Sequence, residues 1–154
     1  MVLELIMYTL HTFFGALLAG SAIFVALAVF PAAQAGTIDP DALGTLLSRF
    51  VWIVRGSILI TLITGGHLAG TLYTADTLTG TEAGILVLVM LGLWLGVIAV
   101  IEIGTAKAKR GIAANKRRQP IHDAKPFYYG GALFAIGLLV ISGILGANRL
   151  VGVF

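Results

Sequence analysis

Two histidines within long apolar runs are the residues of this chain best suited to chemistry. His11 lies in "LHTFFGALLAG" and His67 in "TLITGGHLAG". An ionisable side chain surrounded by apolar residues is costly unless it is paired or bound, so it is a functional candidate by default. Histidine can stay neutral, however, and a structural role with hydrogen bonds to carbonyls, to Thr12 or to Thr64 is a real alternative.

Two imidazoles in an apolar setting fit three kinds of site. They can bind a haem iron from its two axial sides, because the porphyrin supplies the equatorial nitrogens. They can bind copper, for which Met90 and Met7 are candidate soft ligands. They can also be structural residues. Zinc would be under-coordinated by two imidazoles alone.

The composition narrows the remaining chemistry. The 154 residues are 58% hydrophobic and only 11% charged, and the mean hydropathy is +1.01, which predicts an integral membrane protein. The chain has no cysteine, which excludes disulfides, thiolate metal sites, iron–sulfur clusters and covalent haem attachment. It also lacks a Walker loop, G-x-S-x-G, HExxH and paired carboxylates, which argues against hydrolysis and phosphoryl transfer.

Four apolar runs are long enough to cross a hydrocarbon core of about 30 Å. They predict an all-α, four-helix up-and-down membrane bundle that forms one domain over residues 1–154. The expected spans are 3–30, 50–74, 83–105 and 127–152. The first connection, 31–49, is rich in turn-forming residues and predicts an interfacial loop.

The distribution of charge predicts the orientation. The connection 106–126 contains seven of the ten Lys and Arg residues, so the positive-inside rule makes it a cytoplasmic loop. Both termini are then outside the cell membrane. We attribute this basic segment to topology and attraction to membrane lipid, and we expect no nucleic-acid partner.

With this orientation the two histidines reach nearly the same depth. His11 lies roughly 12 Å and His67 roughly 10 Å from the outer ends of their antiparallel helices. Helices adjacent in sequence are usually neighbours, so the rings are expected to face each other. Small residues nearby would give room for a macrocycle (Gly15, Gly65, Gly66 and Gly70), although Gly15 with Ala19 and Gly66 with Gly70 also have the small-xxx-small spacing of helix packing.

Three charged residues have predicted roles within the bundle. Arg149, near the outer end of the fourth span, is a candidate partner for a haem propionate, and pairing with Glu4 is the alternative. Arg55 and Glu102 are expected at matching depth in the inner half. A structural ion pair is the preferred interpretation there, and a proton route through Glu102 is the alternative.

The first two spans resemble a known family. "LHTFFGALLAGSAIF" and "LSRFVWIVRGSILITLITGGHLAG" look like the four-helix unit of the copper resistance protein D (CopD-like) superfamily, which is similar to the haem-associated HemJ-type membrane proteins. The resemblance covers about half of the chain. It implies a histidine in the first helix, here His11, and haem or copper as cargo. The Trp-Phe-x-Gly pattern and the deep lysine typical of the HemJ-type enzymes are absent, so the oxidase reaction is not carried over.

The sequence therefore predicts a b-type haem-binding membrane protein with His11 and His67 as axial ligands, acting in electron transfer or haem handling. A copper-transport permease unit and a small accessory subunit with structural histidines are the alternatives. A homo-oligomer or a larger membrane redox complex is the expected assembly.

Overall fold

The computed structural model describes the backbone of residues 2–113 and 119–151 and the side chains of residues 2–110 and 123–148. The described chain is almost entirely helical and contains no strand, so the predicted all-α fold is confirmed. A π-helical turn, Val25–Val29, joins the first two helices. The helices are α1 (Val2–Phe24), α2 (Phe30–Gln34), α3 (Pro40–Leu72), α4 (Ala75–Gly80), α5 (Glu82–Ala113) and α6 (Gln119–Val151).

Four of the helical stretches are long and apolar enough to cross a membrane, as expected of a multi-pass membrane protein. Their bounds are Val2–Gln34, Pro40–Leu72, Glu82–Arg110 and Asp123–Asn148.

The first connection is much shorter than the sequence predicts. The predicted loop over 31–49 is wrong for most of its length, because α3 begins at Pro40 rather than near residue 50. Asp39 caps α3: its Oδ1 accepts hydrogen bonds from the backbone N–H of Asp41 at 2.9 Å and of Ala42 at 3.3 Å. Proline suits the first turn of a helix, so the Asp-Pro pair is a helix start.

The basic connection is also largely helical. The predicted loop over 106–126 instead contains the end of α5 and the start of α6, and only 114–118 lie outside the described backbone. Lysines stack on aromatic rings at this end: Lys107 Nζ is 4.5 Å from the ring centre of Phe127, and Lys125 Nζ is 5.4 Å from that of Tyr129. Such cation–π contacts let charged residues cover apolar surface while the helices continue.

The four long helices form an up-and-down ring. α1 packs between α3 and α6, α5 packs along α6, and α3 meets α5 over a shorter length. Glycines allow α5 and α6 to approach closely. A Cβ on Gly96 would lie 2.9 Å from the ring of Phe134, and one on Gly104 would lie 2.8 Å from Phe127 Cβ. These two glycines therefore have the packing role that small residues often have in membrane helices.

The buried core occupies one half of the bundle. We call it the tyrosine half, because Tyr128 lies at its centre, buried against Phe30 with ring centres 4.1 Å apart. The Tyr128 hydroxyl is 2.7 Å from that of Thr105. Nearly all buried apolar side chains of the described chain belong to this half, among them Leu18, Ala22, Val25, Leu47, Phe50, Val54 and Ile101.

The other half is packed differently. We define the histidine half as residues 2–17, 59–72, 82–96 and 138–148. Among its described side chains Ile141 is the one buried apolar residue, and the buried polar ones are Thr61 and Thr64. The helices here do not close around an apolar core of their own, and both membrane-embedded histidines lie in this half.

Candidate functional site

The His11 ring is fixed by a threonine of the neighbouring helix. His11 Nδ1 lies 3.0 Å from Thr64 Oγ1, which joins α1 to α3. Thr64 is 2% exposed, and its hydroxyl donates to the Ile60 carbonyl at 2.7 Å. A hydroxyl has one hydrogen, so Thr64 must accept the bond from His11 Nδ1–H. His11 is therefore the Nδ1–H tautomer, and its Nε2 carries the lone pair of the ring.

Gly65 provides the surface on which the His11 ring lies. A Cβ at this position would be 2.7 Å from His11 Cε1 and 3.2 Å from His11 Nδ1, closer than real side chains approach. Among the glycines that the sequence predicts as room for a macrocycle, Gly65 does not have that role. The space beside Gly65 holds the imidazole, because α1 and α3 are close together at this level.

The other glycines of the site lie beside open space. A Cβ on Gly15, Gly66 or Gly70 would meet no atom within 4 Å. Within this chain, these three glycines therefore do not bring two helices into contact. Gly15 is half-buried, and Gly66 and Gly70 are exposed. Their sides of α1 and α3 remain uncovered, which leaves room for a ligand or for lipid.

His67 lies on α3, one helical turn beyond the threonine that holds His11. His67 lies three positions after Thr64, a rise of about 4.5 Å. The two histidines are thus within about a turn of one depth, as the sequence analysis expected. The His67 ring is half-buried, and its Nε2 is buried without a hydrogen-bond partner in the described part of the chain. No hydrogen bond from His67 Nε2 therefore links the two histidine rings.

The other predicted site residues add little to the described part of the site. The side chain of Arg149 lies outside the described residues. Met90 is half-buried on α5. No group of three or more His, Asp or Glu side chains suited to a metal ion occurs among the described residues.

No family model, curated protein or solved structure matches this chain.

The predicted ion pair of the other half is confirmed. Arg55 Nε and Nη2 donate to the two carboxylate oxygens of Glu102 at 2.8 and 3.0 Å. This two-bond geometry is the strong form of an arginine–carboxylate pair. The pair joins α3 to α5, the least extensive of the helix contacts in the ring.

Sequence reasoning missed a second polar contact between the same helices. Trp94 Nε1 donates to Thr61 Oγ1 at 3.1 Å. One turn before Thr61, Ser57 is fully buried and its hydroxyl has no partner among the described atoms. The repeated hydroxyls at Ser57, Thr61 and Thr64 share the inward face of α3, and this periodicity was the available signal.

Proposed function

We propose that this multi-pass membrane protein binds haem b through Nε2 of His11 and Nε2 of His67. One observation carries the proposal. Two imidazoles lie within about a helical turn of the same depth, and His67 Nε2 is buried without a hydrogen-bond partner among the described residues. Leaving a buried ring nitrogen unsatisfied in an apolar bundle is costly, so a ligand that binds it would remove the cost.

The donor set fits a haem better than a bare ion. Zinc prefers four protein or water ligands, and the described residues offer no group of three or more His, Asp or Glu side chains suited to a metal ion. A haem needs only axial ligands from the chain and, when bound, supplies an iron that accepts and returns one electron. Its function here would be electron transfer or haem handling.

The residues around the histidines have supporting roles. Thr64 holds the Nδ1–H of His11, which fixes the ring orientation and leaves Nε2 as the ligand atom. Gly15, Gly66 and Gly70 leave uncovered surface next to the site, against which a flat apolar ligand fits. We retain Arg149 as the proposed partner of a propionate, because a guanidinium matches carboxylate geometry.

The wider setting belongs to the same proposal. A CopD-like relationship and a cell-membrane location with both termini outside agree with a haem or copper cargo. The protein would act as a homo-oligomer or within a larger membrane redox complex. Copper transport would use the same nitrogens together with Met90, whereas a structural subunit would bind no cargo.

Haem reconstitution of the purified protein tests the proposal. We expect sharp low-spin absorption bands on reduction of the wild type, and their loss in His11→Ala and His67→Ala. His122→Ala is the matched control, because His122 belongs to the basic connection, and it should retain the bands. Met90→Leu should also retain them. Thr64→Val should lower haem occupancy, and Thr64→Ser, which keeps the hydroxyl, should restore it.

Two results would contradict the haem assignment. Protein that stays colourless with excess haem would exclude it. Copper binding that is lost in Met90→Leu as well as in both histidine variants would favour the copper permease.

A further inference from the structure

A groove between α3 and α5 lies in the tyrosine half, away from the histidines. It has a volume of about 300 Å³. One wall is the α3 face from Ser48 to Arg55, about 10 Å long at the helical rise. The groove is lined by Ser48, Val51, Trp52, Arg55, Glu102, Thr105, Ala106 and Lys109.

The hydrogen-bond donors that line the groove belong to two cationic side chains. Arg55 uses Nε and one Nη2 hydrogen for Glu102, and a guanidinium has five N–H hydrogens, so three are not used by this pair. Lys109 adds an ammonium group. The lining hydroxyls are already engaged: Ser48 donates to the Gly44 carbonyl, and Thr105 bonds Tyr128. Two cations around one carboxylate leave a net positive groove suited to an oxyanion.

The residues around the groove are of the types found at a membrane–water interface. Trp52 is 74% exposed at its mouth, and exposed tryptophans in membrane helices favour the headgroup level. Lys109 belongs to the basic end of α5, next to Lys107 and Arg110. Basic pockets between helices at this level bind the headgroups of anionic lipids.

Apolar surface continues from the groove along α3. Leu59 and Ile63 are each 58% exposed and follow Trp52 at spacings of seven and eleven residues, so the three side chains share one face of the helix. A soluble anion would make no contact with this apolar surface, whereas the acyl chain of a lipid would pack against it.

We propose that this groove binds the phosphate of an anionic phospholipid. Lys109 and the unused N–H groups of Arg55 hold the phosphate, Trp52 packs at the glycerol level, and an acyl chain lies along Leu59 and Ile63. Glu102 keeps Arg55 directed across the seam between α3 and α5. The site is independent of haem binding, so the two proposals stand or fall separately.

Native mass spectrometry of the full-length protein in detergent tests the site. Titration with phosphatidylglycerol should give tighter binding than titration with phosphatidylcholine. Lys109→Gln should weaken phosphatidylglycerol binding about fivefold, the loss expected for one basic residue near an anionic headgroup. Lys107→Gln is the matched control on the same helix, because Lys107 lies over the Phe127 ring and does not line the groove.

A second variant tests the sign of the charge. Glu102→Gln removes the only carboxylate of the groove and should strengthen phosphatidylglycerol binding. Equal effects of Lys109→Gln and Lys107→Gln would show general attraction to the basic end and overturn the site. Inorganic phosphate that binds with the same dependence on Lys109, without preference for the lipid, would overturn the choice of a phospholipid.

Discussion

His11 is held by two neighbours that act in different ways. Thr64 supplies a directional bond that fixes which ring nitrogen carries the hydrogen, and Gly65 supplies the space in which the ring lies. Neither residue would bind a ligand itself. Together they orient Nε2 of His11, and orientation by such neighbours is what makes an imidazole an effective ligand.

The Gly65 contact predicts a pair of contrasting variants. Gly65→Ala adds a methyl group 2.7 Å from the His11 ring, so the ring or α3 must shift, at a typical overpacking cost of about 1–3 kcal/mol. We expect a lower melting temperature for this variant in detergent. Gly66→Ala makes the same chemical change at a position without neighbours within 4 Å. It should leave the melting temperature unchanged or raise it, because alanine favours helix over glycine. Equal melting temperatures for both variants would mean that the His11 ring is not packed against α3.

For the helices, the sequence predicted the features that depend on hydropathy, which are the number and order of the spans. The apolar runs gave four spans in the right order, because a bilayer core demands a minimum length of apolar helix. The ends were wrong where polar residues continue a helix. The sequence predicts a turn at Pro40, whereas Asp39 makes this residue a helix start. It predicts a loop after residue 106, whereas alanine and lysine favour helix there.

The contact between α3 and α5 depends on the Arg55–Glu102 ion pair, and the energetic coupling of the two residues can be measured. We expect Arg55→Met and Glu102→Met each to lower the melting temperature more than the double variant does, because each single change leaves an unpaired charge within a span. Arg49→Met is the control on the same helix: Arg49 is exposed and lines a different groove. Its effect should add to that of Glu102→Met without coupling. Additive effects of Arg55→Met and Glu102→Met would contradict an energetically coupled pair.

Over the whole molecule the two halves have different means of cohesion. The tyrosine half is closed by aromatic and aliphatic side chains around Tyr128, whereas polar contacts such as His11–Thr64 and Trp94–Thr61 join the helices of the histidine half. Matching depth of His11 and His67 was predictable because helical rise is fixed. The ring position on Gly65 was not, since it depends on how closely α1 and α3 pack and on side-chain rotamers that hydropathy does not encode. The same holds for the Trp94–Thr61 bond.

The orientation of the whole bundle is the last expectation to be tested. The basic segment between α5 and α6 should be cytoplasmic, and the connection that contains α4 should then be outside with the histidine half. The chain has no cysteine, so any labelling of a variant with one introduced cysteine comes from that position. A membrane-impermeant maleimide applied to intact cells should label Thr79→Cys, an exposed residue of α4, and should label Ala114→Cys only after the membrane is permeabilised. The reverse pattern would invert the bundle. A haem on His11 and His67 would then lie nearer the cytoplasmic face and would exchange electrons with partners on that side.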